Sequence, residues 1–210
     1  MIYELDPSTT AVLVIDVQEE YFDPEGPAYF PESAQRLDAI NQLIAGATTA
    51  GAHVVYVRHA HAPDGSDVGR MADFDEDDAE DSFIEGTERV ALHAGLTVTT
   101  EPIVITKNRY DSFLGTDLLD TLLGKGIEAV VLVGYMTSFC IDATARGAQG
   151  RDFATIVVAD AIGGPDLERL DGSDYPSDDV RLDVLAALGN GIAEILEADE
   201  VLDRLGVAAG

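Results

Sequence analysis

The sequence predicts an α/β fold, a three-layer α/β/α sandwich around a six-stranded, mostly parallel sheet. Short β-branched runs, typical of strands that are buried on both faces, alternate along the chain with segments of helical periodicity. The spacing leaves room for crossover helices, which parallel pairing requires. Since the 210 residues contain no internal repeat and no long linker, we expect one domain over residues 1–210.

The expected elements follow from local signals along the chain. Strands are expected over residues 10–16, 53–58, 101–107, 129–133, 154–160 and 192–195. Helices are expected over residues 31–50, 116–123, 137–147, 177–188 and 199–205. The acidic residues 71–81 are expected to form a solvated surface segment, and residues 163–176, rich in glycine, proline and acids, a loop.

The formal net charge of −28 excludes several kinds of partner. It arises from 40 acidic against 12 basic residues, and only Lys107 and Lys125 are lysines. Such a surface repels nucleic acid and anionic membranes, so we expect neither as a partner. Carboxylate-coated surfaces are typical of proteins from salt-loving organisms, and we expect high salt to stabilise this fold by screening its self-repulsion.

Composition also predicts where the protein works. No apolar run is long enough to cross a membrane, and the first residues lack the basic start of a signal peptide. A single cysteine cannot form an intrachain disulfide. We therefore expect a cytoplasmic protein.

The stretch around Cys140, the only cysteine, is the strongest candidate for chemistry. A β-branched run ends at Gly134, and the cysteine follows at the start of a predicted helix that Thr137 or Ser138 is expected to cap. The positive end of that helix would favour the thiolate. The alternative is a buried cysteine that acts as a small inert hydrophobe, and this stretch alone leaves both interpretations open.

Two further residues favour the catalytic interpretation. Asp16 ends the first predicted strand and Lys107 ends the third, so a parallel sheet would bring both to the same edge as the Cys140 turn. Asp16 would accept the thiol proton as general base. Lys107 would stabilise the thiolate and keep Asp16 ionised. One of the two lysines of this chain lies at this position, which supports a specific role.

Three sequence blocks resemble those of a known family. They are residues 14–18 (VIDVQ), 106–113 (TKNRYDSF) and 133–140 (VGYMTSFC). In this order and spacing they resemble the signature blocks of the isochorismatase-like cysteine hydrolases, which include nicotinamidase, N-carbamoylsarcosine amidohydrolase and ureidoacrylate amidohydrolase. The resemblance extends over about residues 8–205. It implies a six-stranded parallel sheet, a triad of Asp16, Lys107 and Cys140, and a thioester intermediate resolved by water.

The resemblance further implies an oxyanion site and a substrate pocket. A cis peptide bond between Tyr135 and Met136 would aim the Met136 N–H, together with that of Cys140, at the developing oxyanion. Aromatic side chains suit a small planar substrate. The residues expected to line the pocket are Tyr21, Tyr110, Phe113, Phe139 and His61.

The sequence departs from the nicotinamidase branch at its metal site. Nicotinamidases carry Asp-x-His after the second strand and bind a zinc-like ion, whereas this chain has His59-Ala60-His61 and no aspartate there. The next histidine, His93, lies in a different segment. We therefore expect no metal and no other cofactor; a zinc-like ion at His59 and His61 is the alternative.

The expected function is hydrolysis of a small amide, carbamoyl or ureido compound at its C–N bond. True isochorismatases cleave a vinyl ether and generally lack the cysteine, so Cys140 argues for attack on an acyl carbon. Two alternatives stay open: a vinyl ether hydrolase of the isochorismatase type, and a catalytically idle relative that only binds a small molecule. Family members are commonly dimers or tetramers, so a homo-oligomer is expected.

Overall fold

The structure, a computed structural model, describes residues 3–73 and 82–207. Its strands are β1 (Thr10–Ile15), β2 (His53–His59), β3 (Ile103–Lys107), β4 (Ala129–Tyr135), β5 (Ala154–Gly163), β6 (Leu167–Glu168), β7 (Asp174–Tyr175) and β8 (Glu194–Leu196). Its helices are α1 (Ser33–Ala50), α2 (Leu118–Gly124), α3 (Asp142–Gln149), α4 (Ser177–Gly189) and α5 (Ala198–Arg204). Among the described residues, no helix is long and apolar enough to span a membrane.

Six strands form one parallel sheet in the order β3-β2-β1-β4-β5-β8. The chain builds one half of this sheet from β1 outward to β3 and then crosses to β4 and builds the other half. The carboxyl ends of β1 and β4 therefore lie side by side at the point where the winding direction changes, which is where open α/β sheets bind their ligands. The predicted fold class is confirmed.

Two apolar layers cover the sheet, because alternate residues of each buried strand point to opposite faces. On one face Val12 and Val14 of β1 pack in a cluster with side chains of α1 and α5. On the other face Leu13 and Ile15 pack in a cluster with side chains of α2, α3 and α4. All six residues of β1 are buried, as its β-branched run predicts.

The structure changes several of the expected boundaries. Strand β4 continues to Tyr135, and β5 continues to Gly163. The expected loop over residues 163–176 contains an antiparallel ribbon of β6 and β7, so that prediction is wrong there. The acidic segment expected over residues 71–81 lies mostly outside the described residues, which resume at Ser82.

Candidate active site

Asp16 leaves the sheet in an unusual backbone conformation. Its φ of 54° lies in the left-handed region, which residues other than glycine rarely adopt. The Asp16 N–H still donates to the Val57 carbonyl at 2.8 Å, so the residue stays attached to β2. This turn leaves the Asp16 side chain fully buried at the carboxyl edge of the sheet.

Gly134 allows β4 to lie close against the end of β1. Its φ is +112°, and a Cβ at this position would lie 2.0 Å from the carbonyl oxygen of Ile15. Only glycine fits this approach without moving backbone. The peptide bond that follows the next residue, between Tyr135 and Met136, is cis. Behind it, the Tyr135 hydroxyl donates to the Ser33 carbonyl at 2.5 Å.

Cys140 lies inside a short turn rather than at a capped helix start. Residues Thr137–Ile141 form one π-helical turn that continues into α3. Met136 occupies the cap position and makes no side-chain cap bond, while Oγ1 of Thr137 is buried without a hydrogen-bond partner among the described residues. The predicted cap by Thr137 or Ser138 is therefore wrong.

The structure brings together Asp16, Lys107 and Cys140. Nζ of Lys107 lies 2.8 Å from Oδ2 of Asp16 and 3.1 Å from Sγ of Cys140. The side chains of Lys107 and Asp16 have no exposed surface. A carboxylate oxygen of Asp16 also lies within 4.8 Å of the sulfur. One ammonium group therefore joins the carboxylate and the thiol in a buried site.

Burial and neighbouring charges shift the pKa values of all three groups. It raises the pKa of Asp16, although the nearby Lys107 opposes this shift. Burial and the charge of Asp16 raise the pKa of Cys140 to about 12, against the lowering effect of Lys107. Burial works to lower the pKa of Lys107, but the negative charge of Asp16 and the hydrogen bonds to Asp16 and Cys140 outweigh it and raise that pKa. The predicted thiolate is thus wrong for the resting site, which holds a thiol beside an ammonium group.

The Asp16 carboxylate remains available to accept a proton. Nζ of Lys107 lies 2.8 Å from Oδ2, and the Cys140 thiol also lies within hydrogen-bonding range of the carboxylate. A carboxylate has several acceptor sites on its two oxygens, so these contacts leave it able to take up a proton. Its position beside the thiol makes it suited to general base catalysis.

A pair of histidines extends the site, and sequence reasoning missed its contact with Lys107. Nδ1 of His59 lies 3.0 Å from Nζ of Lys107, and Nε2 of His59 lies 2.8 Å from Nε2 of His61. Because an ammonium group can only donate, His59 accepts at Nδ1 and carries its proton at Nε2. His61 then accepts at Nε2 and carries its own proton at Nδ1, 3.3 Å from Oδ1 of Asp67.

Gln18 holds this histidine pair in place. Its side-chain amide donates to the His59 carbonyl at 2.9 Å and accepts from the His59 N–H at 2.7 Å. The same amide group donates to the Val90 carbonyl at 2.8 Å. Gln18 belongs to the first of the three conspicuous sequence blocks, and this was the one available signal of its role.

The histidines do not fit a zinc-like ion. Nε2 of His59 and Nε2 of His61 share one short hydrogen bond, and the ammonium group of Lys107 occupies the remaining nitrogen of His59. Asp16, His59 and Cys140 also offer ligand atoms close to one another, but each of them lies near Lys107. A metal cation there would lie against a positive charge, which is unfavourable in a buried site.

A cavity of about 390 Å³ opens onto Cys140. Its walls are mostly apolar and aromatic. They are formed by Tyr21, Pro27, Ala28, Tyr29, His59, His61, Val68, Met71, Ser82, Phe83, Tyr110, Met136, Phe139, Cys140 and Pro165. The volume is that of a small-molecule site.

Four of the five predicted pocket residues lie on this cavity: Tyr21, Tyr110, Phe139 and His61. The prediction for Phe113 is wrong. Its ring packs under the site, against Phe153 with 5.9 Å between ring centroids and beneath the Arg151 guanidinium at 4.7 Å. Phe113 is separated from the cavity because its segment turns into the apolar layer below the sheet edge.

Several cavity residues carried no signal in the sequence. Pro27, Ala28 and Tyr29 come from the segment before α1, and Ser82 and Phe83 come from the segment before β3. These segments lack regular periodicity, and they meet only because the loops after different strands converge at one sheet edge. Phe83 contacts the ring of Tyr21 edge-on, with 5.4 Å between centroids.

Known proteins have sequences similar to that of this chain. The family model described as the isochorismatase domain matches residues 10–173. Over 192 residues the chain is 31% identical to an uncharacterized isochorismatase family protein of Bacillus subtilis, YddQ, covering 91% of this chain and 97% of that protein. Over 157 residues it is 31% identical to maleamate amidohydrolase of Pseudomonas putida, covering 73% of this chain and 71% of that enzyme.

A solved structure shares the fold across almost its whole length. It is the crystal structure of a cysteine hydrolase from Pseudomonas syringae pv. phaseolicola, with a TM-score of 0.92 and 26% sequence identity. The match covers 97% of this chain and 95% of that one. The resemblance predicted from three short sequence blocks is confirmed, and this chain belongs to the isochorismatase family.

Proposed function

We propose that this protein is a cysteine amidohydrolase that cleaves the C–N bond of a small amide, carbamoyl or ureido compound. The observation that carries the proposal is the contact of Lys107 Nζ with both Asp16 and Cys140, directly beneath a cavity that opens onto the sulfur. The amidohydrolase relative at 31% identity supports the same type of reaction.

In the first step the thiol attacks the carbonyl carbon of the bound amide. The S–H proton of Cys140 moves to the Asp16 carboxylate as the new C–S bond forms, and the carbonyl oxygen becomes an oxyanion. Proton transfer during attack fits the resting charges, because burial holds the thiol protonated and also makes Asp16 a stronger base than an exposed carboxylate.

In the second step the tetrahedral intermediate collapses to a thioester. The C–N bond breaks, and the protonated Asp16 returns its proton to the leaving nitrogen, which departs as ammonia or an amine. Water then attacks the thioester while Asp16 accepts a water proton. The C–S bond breaks, the proton returns to the sulfur, and the carboxylic acid product leaves.

Lys107 and two backbone N–H groups would stabilise the charges that develop. The ammonium group of Lys107 lies against Sγ, so it stabilises the negative charge that develops on the sulfur as the thiol loses its proton. We assign the oxyanion to the N–H groups of Met136 and Cys140, two residues of the cavity wall. None of these steps requires a metal ion.

The test is amide hydrolysis by the wild-type protein and by Cys140→Ala in 1 M KCl. Ammonia release is followed with maleamate, its methyl ester, nicotinamide, N-carbamoylsarcosine, ureidoacrylate and simple aliphatic amides. We expect turnover of at least one compound and its complete loss in the variant, because the variant lacks the nucleophile. Cys140→Ser, which keeps a hydroxyl, is the matched control and should retain at most a trace of activity.

The result also decides between the alternatives. Activity that survives Cys140→Ala would contradict the assigned nucleophile. Cleavage of a vinyl ether such as isochorismate, unaffected by Cys140→Ala, would favour ether hydrolysis instead. A circular dichroism melt of each variant shows whether the fold is intact, so that loss of the nucleophile is separated from loss of structure.

A further inference from the structure

We propose that the cavity above Cys140 selects amides whose acyl part carries no charge and rejects substrates that bear a carboxylate. The inference deepens the proposed function, because it names the class of substrate for the same cysteine. It starts from the lining of the cavity, where the described residues include no lysine, arginine, aspartate or glutamate.

The two histidines on the wall do not supply the missing positive charge. Burial lowers the pKa of His59 well below its ordinary value, and Lys107 adds to the shift. Burial likewise lowers the pKa of His61, although Asp67 opposes it. The hydrogen bonds from Lys107 through His59 to His61 also require both rings to be neutral, since each ring accepts at one nitrogen.

The nearest cations are already engaged by protein groups. The Lys107 side chain has no exposed surface and contacts Asp16 and Cys140. Nη1 of Arg109 donates to the carbonyl oxygens of Asp67 at 2.6 Å and Asn108 at 2.5 Å. A salt bridge of at most 3.8 Å to a carboxylate holds each of the other arginines, namely Arg36, Arg58, Arg70, Arg89, Arg146, Arg151, Arg169, Arg181 and Arg204.

The sequence between two residues of the cavity wall contains no basic residue either. Met71 and Ser82 both line the cavity, and the sequence over residues 71–88 contains no lysine, arginine or histidine. Seven acidic residues lie between positions 73 and 81. A substrate carboxylate entering the cavity would lose its hydration without gaining a positive partner from the described lining, which is strongly unfavourable. A neutral acyl group meets, among the described lining residues, apolar, aromatic and neutral polar side chains.

The test compares two alkylating reagents of similar size that differ in charge. Iodoacetamide is neutral and iodoacetate is anionic; each forms a C–S bond at a cysteine thiolate and releases iodide, while the thiol proton is lost to a base. Because Cys140 is the only cysteine, intact mass reports its labelling alone. The rate ratio of iodoacetamide to iodoacetate is measured in 1 M KCl, where repulsion by the distant surface is screened, and is divided by the ratio for a small neutral thiol.

We expect this normalised ratio to exceed about tenfold, since the anion must enter a cavity whose described lining offers no free counterion. A ratio equal to or below that of the reference thiol would overturn the inference. Labelling by neither reagent, together with no turnover of any neutral amide, would also overturn it, because the cavity would then not admit a small neutral acyl compound to Sγ. Protein unfolded in urea is the control and should show the reference ratio.

Two variants locate the source of the selectivity. Val68→Arg places a cation on the cavity wall and should bring the ratio back toward the reference value. Arg109→Gln should leave the ratio unchanged, because its guanidinium is held by two carbonyl oxygens outside the lining. A marked slowing of iodoacetate labelling in Arg109→Gln would instead identify Arg109 as an anion-binding group and contradict the inference.

Turnover of a matched substrate pair separates this inference from the proposed function. Maleamate carries a carboxylate that its methyl ester lacks. Faster hydrolysis of maleamate than of the ester would overturn the selectivity while leaving the cysteine amidohydrolase intact. Conversely, a high labelling ratio together with amide hydrolysis that survives Cys140→Ala would overturn the proposed mechanism and leave the selectivity of the cavity standing.

Discussion

The two lysines of this chain lie in opposite environments. Lys107 ends β3 at the edge of the sheet that carries the site, and its ammonium group is buried against Asp16 and Cys140. Lys125 follows α2 on the surface, and the structure gives it no ion pair among the described residues. Burial lowers the pKa of His53, at the start of β2, and the charge of Lys125 lowers it further.

The difference shows how position changes what one side chain does. An exposed ammonium group is well hydrated, and its interactions are weakened by water and salt. A buried one has lost that hydration, so its interactions with a carboxylate and a thiol at about 3 Å are far stronger. In a chain that is otherwise almost free of lysine, Lys107 occupies a position where a compact, buried point charge contacts both a carboxylate and a thiol.

The largest expected effect separates the two lysines by activity. We expect Lys107→Met to lower kcat/KM for amide hydrolysis by roughly 10²–10³-fold, the loss typical of removing one group that stabilises the transition state. Lys125→Met should change kcat/KM less than about twofold, since surface substitutions away from a site are usually neutral. The measurement is ammonia release with the best substrate.

A buried charge that loses its partner also affects folding, so thermal melts must accompany these assays. If folded Lys107→Met keeps more than a tenth of the wild-type kcat/KM, Lys107 is not a stabilising charge in the reaction. Equal losses in both variants would indicate a general effect of removing positive charge from an acidic protein.

The carboxylate partner of Lys107 should set the pH dependence of activity. Asp16 must be ionised to accept the thiol proton, and burial raises its pKa above the ordinary 3.8. Activity should therefore fall as the pH is lowered through this raised pKa, by about tenfold per pH unit on the acid limb. The acid-limb midpoint of kcat/KM should lie above 3.8, with circular dichroism confirming a folded protein at each pH. A midpoint at or below that value would exclude Asp16 as the buried base.

The smallest expected effect concerns the surface on which Lys125 lies. With a net charge of −28, the fold should gain stability as salt screens repulsion among its carboxylates. A gain of ~1 kcal/mol corresponds to about 2–4 °C in a domain of this size, so we expect Tm to rise by at least that much between dilute buffer and 1 M KCl. Most of the rise should occur below about 0.5 M, because the Debye length is already ~10 Å at 0.1 M. A flat or falling Tm would contradict an electrostatic origin.

Much of the fold could be predicted because strand and helix patterns are local. The buried run at the start of the chain predicted β1 within one residue, and the alternation of strands with helical segments was enough for the parallel sheet. Asp16, Lys107 and Cys140 could be placed together in advance, because each follows a strand and parallel strands end at one edge.

The charge state of the cysteine could not be predicted in this way. A helix start beside a lysine predicted a thiolate, whereas burial and Asp16 hold Cys140 as a thiol. Desolvation depends on how many groups cover a side chain, and those groups come from loops that are distant in the sequence. The same limit explains why the prediction for Phe113 was wrong. An aromatic ring suits a substrate pocket as well as the apolar layer below it, where Phe113 lies.

The sequence alone was sufficient for the sheet, the family and the meeting of Asp16, Lys107 and Cys140 at one sheet edge, because each depends on a local pattern or on strand ends that must meet. Only the folded molecule revealed the contact of His59 with Lys107, the hydrogen bonds between Gln18 and His59, and a cavity whose described lining carries no charged side chain. These features depend on which irregular segments converge over the carboxyl edge of the sheet. No periodicity in the sequence reports that convergence, because it is decided by packing between distant parts of the chain.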